Sequence, residues 1–111
     1  MHDVEALVTR VVDGDTFVCT VYGHILDLEF DLPNQYIRII GIDTPELEKE
    51  TYLAGMKAKE RLEDLILNKK VRLHSEGKRS FHRILAKVYM EDERNVADVL
   101  IKEGLGVPYE G

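Results

Sequence analysis

A single cysteine, Cys19, leaves no partner for an internal disulfide, and its Val-rich surroundings read as a small core residue rather than a nucleophile. No apolar run approaches the roughly 18 residues a membrane span requires, so no membrane partner is expected. The N-terminus, Met1-His2-Asp3-Val4-Glu5, lacks both a basic start and an apolar stretch. The expected location is therefore outside the cell if a leader was removed, and otherwise cytoplasmic. Basic residues are also short: 15 Lys and Arg face 21 Asp and Glu, for a net charge of -6. A protein that grips duplexes by neutralising phosphates is usually basic, so a tight architectural binder is disfavoured. An enzyme that cuts phosphodiesters has another requirement, carboxylates for a metal and only a few arginines on the phosphate.

What is present is ordinary for a globular protein: 111 residues, 44% apolar and 32% charged, predicting one domain over 1–111. Residues 5–12 are β-rich and end at Asp13-Gly14-Asp15, a turn signal. Thr16 to Tyr22 reads as a second strand, stopped at Gly23. Leu26, Leu28, Phe30 and Leu32 alternate with Asp27, Glu29 and Asp31, which predicts a strand, and Pro33-Asn34 predicts a turn after it. Tyr36 to Ile42 is the next expected strand. Helical spacing follows from about Glu50 to Leu67 (Leu53, Met56, Ala58, Leu62, Leu65, Ile66), with a solvated charged face opposite. Val71 begins a strand, residues 77–82 read as a loop, and Arg83 to Met90 alternate again. Asn95 is the expected N-cap of a short helix, Val96 to Glu103, stopped at Gly104. The order predicts a mainly β fold with helices (α+β), a five-stranded OB-type Greek-key barrel with an inserted helix and a short C-terminal helix.

Two carboxylate-bearing turns carry the chemistry. Asp13-Gly14-Asp15-Thr16 joins the first two strands, and Gly41-Ile42-Asp43-Thr44-Pro45-Glu46 follows Arg38 at the end of another. Either alone is a common structural motif. Together, strands ending at Asp15 and Asp43 can converge at one end of a barrel and offer hard oxygen ligands to a calcium-like ion. Arg38 and Asp43 are an odd number of residues apart, which a strict strand would place on opposite faces. Asp43 is therefore expected to have left the strand, with Arg38 still pointing from it.

At these residues the sequence resembles the staphylococcal nuclease (thermonuclease) family, from about Leu7 to Tyr109. The likeness rests on Val12 to Thr16, on Arg38 to Glu46, on Arg83 to Tyr89, and on Asn95 to Leu105, in the family's order and roughly its spacing. It implies a calcium-dependent phosphodiesterase acting on single-stranded or frayed DNA or RNA, cutting at the 5′ oxygen to leave 3′-phosphorylated ends. It implies Asp15, Asp43 and the carbonyl of Thr44 as calcium ligands. Glu46 would orient or deprotonate the attacking water, and Arg38 and Arg83 would hold the phosphate and its transition state. Arginine's planar fork fits two phosphate oxygens. Phe81 and Tyr109 would bind the nucleotide.

The chain also departs from the family. Before its second arginine the family carries an acidic-basic-Tyr-Gly run; here it is Arg79-Ser80-Phe81-His82. Phe81 keeps an aromatic face but lacks a hydroxyl, and Ser80 replaces a cation. The acidic alternation at 26–32 is extra length, expected to extend the far end of a hairpin. The sequence ends at Gly111, short of a further C-terminal helix common in the family, and an apolar patch left there would favour a homodimer. The altered loop and acidic surface keep a second class of function open, a catalytically weak nuclease-like module that binds nucleic acid or a protein partner.

Overall fold

Period-two patterning builds most of the molecule. The computed structural model describes residues 3–80 and 82–109, with only the backbone of residues 76 and 78–80. Its elements are β1 (Asp3–Asp13), β2 (Thr16–Ile25), β3 (Leu28–Ile39), β4 (Gly41–Asp43), α1 (Tyr52–Ile66), β5 (Lys70–Ser80), β6 (Arg83–Tyr89), α2 (Val96–Lys102) and β7 (Val107–Tyr109). Strands β1, β2, β3, β6 and β5 close a barrel in that order, antiparallel except for the β3–β6 pair. This is the expected five-stranded OB-type barrel, with α1 inserted before β5. Inward side chains of Val8, Phe17, Cys19, Ile37, Ile39, Val71 and Val88 form the core, joined by Leu62 and Ile66 of α1 and Leu100 of α2. Burial pushes the Cys19 thiol up to about 12, so it carries no thiolate at neutral pH and serves as packing. Asn95 caps α2 as expected, its side-chain oxygen accepting from the Asp98 amide at 3.2 Å.

Three local expectations are corrected. β2 does not stop at Gly23 but continues to Ile25, and the chain reverses around Leu26, which has a φ of 56°. Pro33-Asn34 is not a turn: β3 runs through it, absorbing it as a register shift opposite Cys19 and Val21, with Asn34 at φ 58°. The reason lies in pairing. Among the described residues β3 meets β6 only from Tyr36 to Ile39, so residues 28–35 pair along one edge there, where a proline's missing N–H breaks no ladder. Residues 77–80 belong to β5, which survives a shift between Ser75 and Arg79, with Gly77 at φ 79°. The β2–β3 hairpin does extend the far end, as expected. Its tip residues Leu26 and Leu28 are 92% and 72% exposed, and the molecule measures 49 × 27 × 26 Å. Among the described residues, no helix is long and apolar enough to cross a membrane.

One element was not expected. β7 pairs antiparallel with β4 as a separate two-stranded sheet, setting Gly41 opposite Tyr109 and Asp43 opposite Val107. That small sheet and the barrel meet at the site described next.

Candidate active site

The β1–β2 turn supplies the first carboxylate. Asp13 accepts from the Asp15 amide at 3.0 Å, an Asx turn that points Asp15 inward. Asp15 is almost wholly buried, and its acceptors are used: Oδ1 takes the Thr16 hydroxyl at 3.2 Å, and Oδ2 takes the Thr44 amide at 3.2 Å and the Thr44 hydroxyl at 3.1 Å. Thr44 is thereby tied to the first turn across the two carboxylate motifs.

Gly14 is what allows the two motifs to meet. A Cβ there would lie 2.7 Å from the Cβ of Ala58 on α1, 2.7 Å from Thr44 Oγ1 and 2.9 Å from Thr44 Cβ. Gly55, one turn earlier on α1, makes a similar close approach, a Cβ there falling 2.8 Å from the Glu46 carbonyl and 3.0 Å from that of Pro45. The Thr51 hydroxyl also donates to the Glu46 carbonyl, at 2.6 Å. Thus α1 packs directly on both carboxylate-bearing segments, while the side chain of Glu46 stays exposed.

Arg38 ends the barrel strand and clamps the corner that follows. After Ile39 the chain turns at Ile40-Gly41, with Gly41 at φ 96°, and enters β4. Arg38 Nη1 donates to the carbonyls of Ile39 (2.6 Å) and Ile42 (2.9 Å), holding both sides of that corner. Its Nη2 lies 3.4 Å from Asp15 Oδ2 and 3.6 Å from Asp43 Oδ1. The odd spacing of Arg38 and Asp43 is resolved as expected, since Asp43 has left the barrel strand, but it sits in β4 rather than in a loop. Tyr109, on β7, lies with its ring centroid 5.7 Å from the Arg38 guanidinium carbon.

Arg83 starts β6 and pairs in parallel register with Tyr36, two residues before Arg38. In-register partners share a face, so Arg83 and Arg38 project from the same outer side of the barrel. The structure therefore brings together Asp15, Arg38, Asp43, Thr44 and Tyr109, with Arg83 on the adjoining strand. Phe81 lies outside the described residues.

Whether these residues suit a divalent ion turns on the donor set. Two carboxylates already converge on one cationic nitrogen, and the Thr44 carbonyl belongs to the residue bound to Asp15. All are hard oxygen donors of the kind calcium takes, and together they would supply three of its 6–8 ligands, leaving the rest to water or phosphate oxygens. Among the described residues, no group of three or more His, Cys, Asp and Glu side chains is placed to hold an ion. The set fits an open, weak site rather than a closed cage.

Asp13 was not singled out from the sequence except as a turn former. Burial first, then its side-chain hydrogen bond with Asp15, push its carboxyl up to about 6, with the charges of Asp15 and Glu46 adding to the shift. The Asp15 amide works against this, but burial wins. The Glu46 charge is thus close enough to be felt inside the first turn. Because the folded carboxyl holds its proton more tightly than the unfolded one, this group favours the folded chain at low pH. That contribution is lost as pH rises from about 4 through about 6. Asp3 and Glu103, held low chiefly by hydrogen bonds from His74 and Arg61, act only at more acidic pH. In chelator, the thermal midpoint is expected to fall across that window, and Asp13→Asn to flatten the slope; an unchanged slope in the variant would assign it elsewhere.

A groove of about 800 Å³ lies elsewhere, under the hairpin extension, lined in part by Asp3, Glu5, Glu29 and Asp31. Its carboxylates repel a polyanion, and none of the site residues line it.

Comparison with known proteins agrees with this geometry. The sequence pattern of the family described as "Staphylococcal nuclease homologue" matches residues 36–110. The chain is 36% identical over 105 residues to a thermonuclease of Staphylococcus intermedius, covering 89% of this chain and 56% of that protein. It is 32% identical over 102 residues to a Haemophilus influenzae protein described as an uncharacterized endonuclease, covering 92% of this chain and 51% of the relative. A prophage-derived endonuclease of Bacillus subtilis, YokF, is 33% identical over 108 residues, covering 92% of this chain and 33% of its own length. The chain thus spans about half the length of the first two relatives and a third of the last. With the family pattern covering the chain from the end of β3 through β7 and the paired carboxylate turns seated around Arg38, this chain belongs to the staphylococcal nuclease family.

Proposed function

We propose that this protein is a calcium-dependent nuclease hydrolysing DNA or RNA by in-line attack of water, leaving 3′-phosphorylated ends. The observation that carries the reading is the convergence of Asp15 and Asp43 on Arg38 at the mouth of the β3–β4 corner. The same contacts brace the corner, and they also hold an arginine and two carboxylates at one place, the parts that metal-assisted cleavage of a phosphodiester needs.

Asp15, Asp43 and the Thr44 carbonyl hold the calcium ion, which when bound polarises a phosphoryl oxygen and makes nearby water more acidic. Glu46, exposed on the segment packed against Gly55, accepts the proton of the attacking water. Arg38 and Arg83, on the same face of neighbouring strands, hold the non-bridging oxygens and stabilise the charge that builds on them in the pentacoordinate transition state. The Tyr109 ring, beside Arg38, packs against the nucleotide. The P–O5′ bond breaks, and the leaving 5′ oxygen takes up a proton.

Digestion of single-stranded DNA with calcium and with chelator tests this. Cleavage is expected with calcium and none with chelator, and the ends should accept label at the 5′ position without prior phosphatase treatment. Calcium-dependent binding without cleavage would replace the enzyme with a binding module.

A further inference from the structure

Resting on the nuclease reading, the geometry points to a second nucleotide-binding position on the barrel's outer face, in which Tyr36 stacks a base of the bound single strand and Arg10 takes its phosphate. Four side chains lie in one cross-strand row. Arg10 on β1 is opposite Val18 on β2, Val18 is opposite Tyr36 on β3, and Tyr36 is opposite Arg83 on β6. With neighbouring strands about 4.8 Å apart, the row extends roughly 14 Å from Arg83 to Arg10. Tyr36 also precedes Arg38 by two residues, about 7 Å along β3 on the same face. The row is therefore continuous with the arginines of the reaction site.

Arg10 is on this face only because β1 is irregular. A register shift falls between Val8 and Arg10, so Thr9 and Arg10 both turn outward before Val11 returns to the core. A regular strand would have pointed Arg10 inward beside Val8. Bulges re-aim side chains in this way, and here one places a cation on the outer surface.

Once there, Arg10 meets no carboxylate partner among the described residues. Its Nη2 donates to the Tyr36 hydroxyl at 2.8 Å, and its guanidinium carbon lies 5.7 Å from the ring centroid. A phenol is a weak, neutral acceptor for an arginine, and a phosphate oxygen would displace it. The pair closes over Val18, which is only 3% exposed, while Tyr36 remains 38% exposed. An exposed aromatic ring flanked by Arg10 and Arg83 is the combination that holds single strands without reading sequence: a stacking platform between cations. In a chain of net charge -6, such a row also tells the polyanion which face to approach.

The test uses a fluorescein-labelled eight-nucleotide oligothymidylate, with binding read by anisotropy in chelator and cleavage read with calcium. Tyr36→Leu, which keeps Val18 covered, is expected to weaken binding about tenfold and raise KM similarly, with kcat within twofold. Tyr36→Phe keeps the ring and should stay within twofold throughout. Arg10→Gln should reduce the slope of log Kd against log salt by about 0.7. Cleavage of a dinucleotide, whose single phosphate sits at the reaction site and cannot also reach Arg10, should not respond to Arg10→Gln. Affinity for the octamer that ignores Tyr36→Leu, or a salt slope unchanged in Arg10→Gln, overturns this inference even where one variant folds poorly. A wild-type chain that binds the octamer through Tyr36 but never cuts it sinks the nuclease reading and leaves this surface standing.

Discussion

Arg38→Ala is expected to lower turnover roughly a thousandfold or more while also lowering stability, and the two losses can be separated. The activity loss follows from removing a fixed cation beside the phosphate, where preorganised charge is commonly the largest catalytic contribution. The stability loss follows from what the side chain does in the protein itself. Its Nη1 satisfies the Ile39 and Ile42 carbonyls across the β3–β4 corner, and its Nη2 offsets the buried carboxylate of Asp15. Breaking such a pair from one side leaves the other charge unmatched, at roughly 3 kcal/mol. Arg38→Lys restores the charge but not the fork, since one ammonium cannot span two carbonyls and two carboxylates. It should recover much of the thermal midpoint and little of the activity, remaining about a hundredfold slow. Calcium should raise the midpoint of Arg38→Ala more than that of wild type, because another cation then stands between Asp15 and Asp43. Turnover of both variants within tenfold of wild type would remove Arg38 from the reaction.

Gly14→Ala is expected to cost about 1–3 kcal/mol and to slow cleavage by about a hundredfold, although Gly14 touches no substrate. The atoms an added methyl would meet are short and attached close to backbone, Ala58 Cβ and the Thr44 side chain, so no flexible end can swing aside. Either α1 retreats from the β1–β2 turn or Thr44 moves off Asp15. The second displacement shifts an expected ligand and the hydrogen bonds that aim another. Thermal melts and kcat on the same preparation check this. The pairing Gly14→Ala with Ala58→Gly should relieve the α1 contact and recover stability, but not the Thr44 contact, so activity should lag behind. A Gly14→Ala protein as active and stable as wild type would show that the packing is loose.

The barrel was legible because its signals are local: alternation, Asp-Gly turns, an amphipathic helix and an Asn cap each act within a few residues. The errors came where pairing with another strand overrode local preference. Pro33-Asn34 has a turn's composition, yet β3, paired there along one edge among the described residues, continues through it. Gly77 reads as a breaker, but pairing with β6 resumes at Arg79. At the site, Asp15, Arg38 and Asp43 stood out because two carboxylate turns, one of them just after an arginine, occur together, and Thr44 came only with the family resemblance. Tyr36 and Arg10 did not. Their partnership depends on a register shift in β1, and nothing in the order Thr9-Arg10-Val11 announces it. Gly14 and Gly55 were equally silent, since a close approach to a distant segment leaves no mark on a glycine's neighbours in sequence.

The site straddles a seam. Asp15 and Arg38 belong to the closed barrel, whereas Asp43 and Tyr109 belong to a ribbon of two three-residue strands, β4 and β7. β4 is anchored by Ile42, wholly buried in the core, and by Arg38 on the Ile42 carbonyl, whereas the three residues of β7 are exposed and pair, among the described residues, with β4 alone. On the nuclease reading, parting of these three pairs would take Tyr109 away from Arg38 while the barrel stays closed, and their re-forming would bring it back.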